Sequence, residues 1–275
     1  MFNSCLSYSR FAAVLCGVTL VAQSAPAQVA DPVKEQLDKS PRHHEWVDVE
    51  SQDGRKVKCF VVFPEVEEKA TAVIVIHENK GLTDWVRKVA DSVAEKGYVA
   101  IAPDFLSGAG PDGGNTDSFA SIDAATQGIY KLQDAQVMAD LDATASYVTK
   151  LDASNGKLAC MGFCWGGGKS FAYAAHNPKL GAALVFYGSA PDDATLEKVT
   201  APVYGFYGGN DRRITGQVPS VTEKMKKIGK KYEPVVYEGA GHGFMRTAIG
   251  ADASDADRKA HEAAKDRVKK ILGGL

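Results

Sequence analysis

The sequence lacks a strong excess of charge of either sign. Its formal net charge is −2 over 275 residues, whereas nucleic-acid binding needs a concentrated basic surface. The basic stretch "KMKKIGKK" at 224–231 is typical of a solvated helix face. We therefore expect no nucleic-acid partner. Hydrophobic residues make up 45% of the chain and charged residues 24%, a balance typical of a soluble globular protein.

Hydrophobic runs long enough to span a bilayer are also missing. The apolar run "FAAVLCGVTLVA" at 11–22 has about a dozen residues, whereas a membrane-spanning helix needs roughly 20. It follows "MFNSCLSYSR", which carries one positive charge, and precedes an A-x-A site, Ala25-Pro26-Ala27. This pattern resembles a secretory signal peptide. We predict that residues 1–27 are removed on export to the periplasm or the medium, with no stable membrane insertion afterwards.

Cysteine is scarce, with five residues in the whole chain. Removal of the predicted signal peptide leaves Cys59, Cys160 and Cys164, an odd number that implies at least one unpaired thiol in an oxidising compartment. Cys59 and Cys160 lie in strand-like apolar runs and are expected to be small buried residues. The C-x-x-x-C spacing of Cys160 and Cys164, without a second pair or spaced histidines, is weak evidence for zinc. We predict no metal and no organic cofactor.

Repeats, low-complexity tracts and Pro/Ser-rich linkers are absent after residue 27, so residues 28–275 are predicted to form a single domain. Short apolar runs alternate there with helix-length segments. The runs lie at 57–63, 71–76, 98–103, 157–163, 182–188, 202–208 and 234–239, and the helical segments at 84–97, 119–149, 167–178, 217–230 and 255–272. Alternation of this kind predicts an α/β fold with a mostly parallel sheet and helices on both faces. The first two runs, joined by "PEVEEKA", can pair antiparallel at one edge.

Cys164 lies between the strand-like run "KLACM" and a cluster of glycines in "GFCWGGG". The pattern G-x-C-x-G matches a nucleophile elbow, in which the nucleophile adopts strained dihedrals between a strand and a helix. Gly162 and Gly166 would relieve clashes with the neighbouring strand and helix. The amino end of the following helix favours the thiolate form. The glycine-rich loop at 107–119 follows another strand and is expected to border the same site.

Two further polar residues follow predicted strands in a meaningful order. Asp211 lies in "YGGNDRRIT" and His242 in "EGAGHGFMR". The chain order nucleophile, acid, base is that of α/β-hydrolases. We predict that Cys164 attacks an acyl carbon, that His242 holds the proton, and that Asp211 fixes the tautomer of His242.

These residues resemble the dienelactone hydrolases (carboxymethylenebutenolidases), cysteine members of the α/β-hydrolase fold. The similarity covers nearly all of the chain after residue 27, and its most specific elements are "GFCWGG", "GGND", "GHGF" and "IHENKGL". The resemblance implies that Glu78 contacts the nucleophile, holds the resting thiol, and swings on substrate binding to accept its proton. A Cys164–His242 ion pair would result.

The fold places one oxyanion N–H on the residue after the nucleophile and another on the loop after an earlier strand, here Trp165 and Asn79. Arg246 matches a family arginine that binds the substrate carboxylate, and Tyr130 is retained in the substrate pocket. The chain departs from the family elsewhere. No arginine occurs in "SIDAATQGIYKLQ" at 121–133, where the family has a second carboxylate-binding arginine, and Gln133 replaces an expected tryptophan.

The sequence thus predicts a monomeric hydrolase that cleaves a small carboxylic ester or lactone through a Cys-His-Asp triad and an acyl-cysteine. An esterase or thioesterase acting on another small acyl substrate is an alternative. Two further alternatives belong to different classes of protein. One is a non-catalytic binding protein on the same fold, and the other is a thiol-redox protein that uses Cys160 and Cys164.

Overall fold

The computed structural model describes Met1 and residues 32–275 of the chain. The predicted signal peptide, except for Met1, lies outside the described residues and stays a prediction. Within residues 32–275, no helix combines the length and apolar character that crossing a membrane requires. Residues 31–275 cluster as one compact unit.

Eight strands and ten helices are described between residues 32 and 275. The strands are β1 (His44–Glu50), β2 (Lys56–Val62), β3 (Ala70–Ile76), β4 (Val99–Pro103), β5 (Ser154–Phe163), β6 (Ala182–Phe186), β7 (Val203–Gly208) and β8 (Tyr232–Tyr237). The helices are α1 (Pro32–Asp38), α2 (Asp84–Ala94), α3 (Ile122–Ile129), α4 (Asp134–Val148), α5 (Trp165–His176), α6 (Asp193–Leu196), α7 (Arg212–Thr215), α8 (Val218–Lys227), α9 (Phe244–Thr247) and α10 (Asp255–Leu272).

All eight strands form one sheet in the order β1-β2-β4-β3-β5-β6-β7-β8. The strands from β4 to β8 in this order pair in parallel, whereas β2 pairs antiparallel with both β1 and β4. Strand and helix alternate from β3 onwards, as expected for parallel strands joined by crossovers. The predicted α/β architecture with a mostly parallel sheet is confirmed.

The first strand of the sheet was missed in the sequence. The first predicted run begins at 57, but His44 already begins β1, which pairs with β2 over seven positions from His44–Val62 to Glu50–Lys56. The segment "HEWVDVE" has charged residues at 45, 48 and 50, and Val49 is its only buried residue. An edge strand that faces solvent on one side needs no continuous apolar run, so the hydrophobic pattern did not reveal it.

The predicted antiparallel pairing of the first two apolar runs is wrong. β2 does not pair with β3; instead β3 lies between β4 and β5 and is parallel to both. Every residue of β3 is buried, so this strand needs neighbours and helices on all sides, which an edge position cannot provide. The "PEVEEKA" connection therefore carries the chain past the position that β4 fills.

Helices cover both faces of the sheet because successive strand side chains point to opposite sides. Along β3, Ile74 and Ile76 join a core with α4, α5 and α8. Val73 and Val75 join a second core with α2 and α10. The two cores fix the sheet from either side and leave the carboxyl ends of the strands for function.

The predicted helical segment 119–149 is two helices. α3 ends at Ile129 and α4 begins at Asp134, so Tyr130 stands at a break, 64% exposed. The preceding loop, 107–119, contains two short 3₁₀ turns. The Thr116 hydroxyl donates to Asp104 at 2.7 Å and accepts from the Leu82 N–H at 3.0 Å. These bonds connect the loop to the segment after β3.

Candidate active site

Cys164 is the single residue between β5 and α5, and its backbone is strained. Its φ of 55° and ψ of −114° lie outside the usual regions for an L-residue. The Cys164 N–H donates to the Phe186 carbonyl at 3.0 Å, and the Cys164 carbonyl accepts from Gly168 at 3.2 Å. The strained conformation predicted for a nucleophile elbow is confirmed.

Glycines make the close approaches of this turn possible. A Cβ on Gly162 would lie 2.0 Å from the Gly166 carbonyl oxygen, and one on Gly166 would lie 2.3 Å from the His77 carbonyl oxygen. Both obstacles are backbone atoms, which cannot rotate away. The prediction that Gly162 and Gly166 relieve steric clashes in this turn is therefore confirmed.

His242 and Asp211 come together beside the turn. His242 Nδ1 lies 2.5 Å from Asp211 Oδ2, and Asp211 is buried while His242 remains one-third exposed. Asp211 is the third residue after β7, and His242 lies in the loop between β8 and α9. A buried carboxylate bonded to Nδ1 requires the proton on that nitrogen and leaves Nε2 available for chemistry.

The pKa of His242 is raised to about 8, and hydrogen bonding with Cys164 is the largest cause. Burial acts in the opposite direction, and the hydrogen bond that His242 donates to Asp211 supports the increase. His242 therefore interacts with both of the other predicted groups, the Cys164 thiol and the Asp211 carboxylate. In this arrangement the imidazole can take a proton from the thiol and later return it, while the carboxylate stabilises the charged imidazole.

Glu78 is buried two residues after β3, and its carboxylate bonds to another of the predicted site residues, Arg246. Its Oε2 accepts a hydrogen bond from Arg246 Nε at 2.9 Å. Among the described residues, the hydrogen bonds of Glu78 lead to Arg246 and none connects its carboxylate to Cys164. Gly243 adopts a left-handed φ of 76° beside this pair, and a Cβ there would lie 3.4 Å from the Arg246 guanidinium.

The predicted oxyanion donors belong to two segments that pack together. Trp165 is the first residue of α5, where backbone N–H groups have no partner within the helix. Asn79 follows Glu78, and its side-chain Nδ2 donates to the Tyr130 hydroxyl at 3.2 Å. The structure thus brings Tyr130 to the same segment as Asn79.

His77 holds the segment that follows β3 in place, a role that the sequence did not predict. It is fully buried, its Nδ1–H donates to the Glu78 carbonyl at 2.7 Å, and its Nε2 accepts from the Phe105 N–H at 3.3 Å. Burial lowers the pKa of His77, which is consistent with this neutral tautomer. Its ring stacks on Trp165 at 5.4 Å. His77 therefore connects both segments that carry the predicted oxyanion donors.

Tyr187 was also missed. It follows β6, adopts a φ of 41°, and is fully buried, with its ring 5.0 Å from that of His242. Its hydroxyl has no hydrogen-bond partner among the described residues. Burial raises the pKa of Tyr187 well above its usual value, with a further contribution from Glu78. The sequence "VFYGS" does not predict that Tyr187 packs beside His242, because neither its strained backbone nor its unpaired hydroxyl can be recognised from sequence.

Cys164, Trp165 and Tyr187 line one end of a cleft of about 540 Å³. The cleft extends along α5 as far as His176 and is bounded across from α5 by Tyr130 and the segment after β6. Arg246 and Glu78 do not line this cleft; they line a neighbouring cavity of about 550 Å³.

The remaining cysteines agree with the expectation of buried core residues. Cys59 and Cys160 are fully buried, and the Cys160 thiol lies 3.2 Å from the Ser170 hydroxyl. Burial raises the pKa of Cys160 to about 12. Cys160 belongs to the core beneath α5, whereas Cys164 packs against the core on the other face of the sheet, so the pair gives no support to the thiol-redox alternative. Within residues 32–275, no three or more His, Cys, Asp or Glu side chains are arranged to hold a metal ion.

The fold and the elbow define a member of the α/β-hydrolase class. A solved acylaminoacyl peptidase from Pyrococcus horikoshii shares this fold with a TM-score of 0.65, at 14% identity over 88% of this chain and 44% of that chain. A Klebsiella pneumoniae structure described as a "Putative Dienelactone Hydrolase" superimposes with a TM-score of 0.74, at 27% identity over 85% of this chain and 99% of that one.

Sequence comparisons identify the family. The family model of the dienelactone hydrolase family matches residues 57–274. A Salmonella typhimurium relative is 34% identical over 70% of this chain and 74% of its own length, and one from Saccharolobus solfataricus is 31% identical over 80% and 95%; both carry the name "Putative carboxymethylenebutenolidase". The chain belongs to the dienelactone hydrolase family. It is a hydrolase of the ester- and lactone-cleaving type.

Proposed function

We propose that the protein cleaves its ester or lactone through an acyl-cysteine intermediate on Cys164. The observation that carries the proposal is the strained turn of Cys164 directly beside the hydrogen-bonded His242–Asp211 pair. Thiolate attack on the ester carbonyl forms a C–S bond and a tetrahedral oxyanion. Backbone N–H groups of Trp165 and Asn79 stabilise that oxyanion in this proposal.

His242 transfers the proton in both halves of the reaction, acylation and deacylation. As the tetrahedral species collapses, the C–O bond breaks and the imidazolium of His242 protonates the leaving alkoxide. Neutral His242 then takes a proton from water, and the hydroxide attacks the thioester. The C–S bond breaks, the acid leaves, and the thiolate is restored beside the imidazolium. Asp211 holds the Nδ1 proton throughout, so the tautomer stays the same.

Glu78 supplies the control of the resting thiol in this proposal. The Glu78 carboxylate is held in an ion pair with Arg246 at 2.9 Å. When substrate enters and this ion pair opens, Glu78 accepts the thiol proton and leaves a thiolate opposite the His242 imidazolium. The proton returns from Glu78 to the Cys164 thiolate after the product leaves. Replacement Glu78→Gln removes the acceptor and is expected to slow acylation, whereas Arg246→Gln is expected mainly to raise KM for anionic substrates. Pre-steady-state kinetics separate the two effects.

The first test compares hydrolysis of p-nitrophenyl acetate and cis-dienelactone by residues 28–275 and by the Cys164→Ala variant. The proposal expects turnover of at least one substrate by the parent protein and none above background by the variant. Equal turnover by both proteins would contradict it. Binding of both substrates without turnover by the parent protein would favour the non-catalytic alternative.

We further propose that the hydrolase acts outside the cytoplasm. The support is the charge and hydropathy pattern of residues 1–27. Expression of the full chain in a bacterial host, followed by cell fractionation and N-terminal sequencing, tests it. A product in the periplasm or medium that begins near Gln28 is expected, and a cytoplasmic product that retains Met1 would contradict the proposal.

A further inference from the structure

The cleft that contains Cys164 is bordered by cations that no part of the proposed triad uses. Lys169, Lys198 and Arg213 all line it, against a single carboxylate, Asp134. Lys169 forms an ion pair with Asp134, so this pair is neutral overall. Two positive charges remain in a cleft of about 540 Å³.

Lys198 and Arg213 are free to bind an anion. Neither forms an ion pair with a carboxylate within residues 32–275, and a weaker electrostatic interaction connects Lys198 with the exposed Asp192. Both residues are exposed, and Lys198 follows α6 whereas Arg213 lies in α7. Two cations that line one cleft attract an anionic ligand and repel a cationic one.

The cleft extends away from the nucleophile. It follows α5 from Cys164 to His176, and a helix of 12 residues is about 18 Å long. Ala172 and Ala175 leave room along its floor. The nucleophile therefore stands at one end of a channel with an apolar floor and two cations on its wall.

The two carboxylate-binding arginines that the family resemblance implies are not both present in this chain. The segment at 121–133, where the resemblance implies a second arginine, contains none. Arg246 is bonded to Glu78 and lines other cavities. An anionic group at the far end of a chain that extends along α5 would meet Lys198 and Arg213, which line the same cleft as Cys164.

We propose that Lys198 and Arg213 form an anion subsite and that the enzyme prefers elongated acyl esters whose far end carries a carboxylate or a similar anion. The inference rests on the proposed acyl-cysteine function, because it takes Cys164 as the point of attack. The scissile carbonyl lies at Cys164, the chain lies over the alanines of α5, and the anion lies between the two cations.

Paired substrates test this preference. The p-nitrophenyl monoesters of succinate, adipate and suberate end in a carboxylate, and the p-nitrophenyl esters of butanoate, hexanoate and octanoate have the same chain lengths and leaving group but end in a methyl group. We expect kcat/KM to favour the anionic member, increasingly with chain length, by about 10-fold at low salt. The preference should shrink at about 0.5 M NaCl, since exposed charges are then screened.

Adjacent arginines provide a matched control. Arg213 lines the cleft, whereas Arg212 precedes it in α7 and does not. Lys198→Gln and Arg213→Gln should each lower kcat/KM for the suberate ester by about two- to five-fold, and the double variant by about 10-fold, with the octanoate ester and the Arg212→Gln variant nearly unchanged. An equal loss for charged and neutral esters, or an equal effect of Arg212→Gln and Arg213→Gln, would overturn the proposal.

Binding separates failure of this inference from failure of the proposed function. Calorimetric titration of Cys164→Ala with the suberate and octanoate esters measures preference without turnover. Tighter binding of the suberate ester that is lost in the added Lys198→Gln/Arg213→Gln changes supports the subsite, even if the parent protein hydrolyses neither ester. Turnover by the parent protein with equal binding of both esters would overturn the subsite and leave the acyl-cysteine proposal intact.

Discussion

Cys164 and Tyr187 occupy equivalent places at the carboxyl ends of neighbouring strands, yet their side chains have different surroundings. Both residues have left-handed φ values, 55° and 41°. The Cys164 N–H donates to Phe186, and the Tyr187 N–H donates to Phe206, so each turn is anchored to the next strand. Cys164 reaches the cleft and contacts His242, whereas the Tyr187 hydroxyl is buried without a partner among the described residues.

This difference shows that similar backbone strain can be predicted from the sequence at one position and not at another. The turn of Cys164 needs Gly162 and Gly166 at fixed spacing, which is a readable pattern. The turn of Tyr187 is held by tertiary packing, with Gly188 pressed against Gly167 of another element. A bulky residue with positive φ persists only where its surroundings require it, which often indicates a functional region.

The largest expected effect concerns the triad beside Cys164. Asp211→Asn should lower kcat/KM by about 10³-fold, because an amide cannot hold the Nδ1 proton of His242 in the same way. Steady-state kinetics with p-nitrophenyl acetate measure it, with circular dichroism as a check on folding. A loss below about 10-fold would show that Asp211 is not the partner that orients His242.

The elbow itself is predicted to be sterically intolerant. Gly162→Ala should lower the free energy of unfolding by ~3 kcal/mol or more, since its Cβ would lie 2.0 Å from a backbone oxygen. Gly168→Ala is the matched control in the same motif, because its Cβ would have 3.4 Å of clearance. This helical substitution should be neutral or stabilising by up to ~1 kcal/mol. Urea denaturation compares the two, and equal stability of both variants would contradict the steric account.

The pH dependence of stability tests the contact between Cys164 and His242. The folded-state pKa of His242 is raised to about 8, above an unfolded value of about 6.5. The protonated form is therefore favoured by folding. Its contribution is fully present below about pH 6.5 and is lost as the pH rises through about 8. Since a third of the side chain is exposed, we expect about 1 kcal/mol.

Cys164→Ala removes the largest cause of this pKa shift and should flatten the change in stability between about pH 6 and 9. Denaturant midpoints of both proteins across that range measure the difference. The same pH dependence in the variant and the parent protein would show that Cys164 does not interact with His242.

The smallest predicted effect concerns the buried hydroxyl of Tyr187. Tyr187→Phe keeps the ring packing against His242 and Phe244 and removes an unpaired polar atom. The free energy of unfolding should stay the same or rise by about 1 kcal/mol. A fall of similar size would show that the hydroxyl has a stabilising partner.

Much of the architecture could be predicted because buried strands and helices have strong periodic patterns. β3 and β5 were recognised as apolar runs, and the order Cys164, Asp211, His242 pointed to a shared strand-end site. The edge strand β1, the break at Tyr130, and the position of Arg246 beside Glu78 were not predictable, since each depends on which elements lie next to each other. The cations of the cleft belong to this second group, because Lys198 and Arg213 are 15 residues apart in the chain.

The most direct test of the account is to trap the acyl group on its proposed residue. The protein is mixed with p-nitrophenyl acetate, quenched in acid during the burst of p-nitrophenol, and digested for mass spectrometry. The account predicts one acetyl group on the peptide that contains Cys164, with none on Cys59 or Cys160. A burst with the acetyl group on any other residue, or steady hydrolysis with no acyl-enzyme at any quench time, would contradict it.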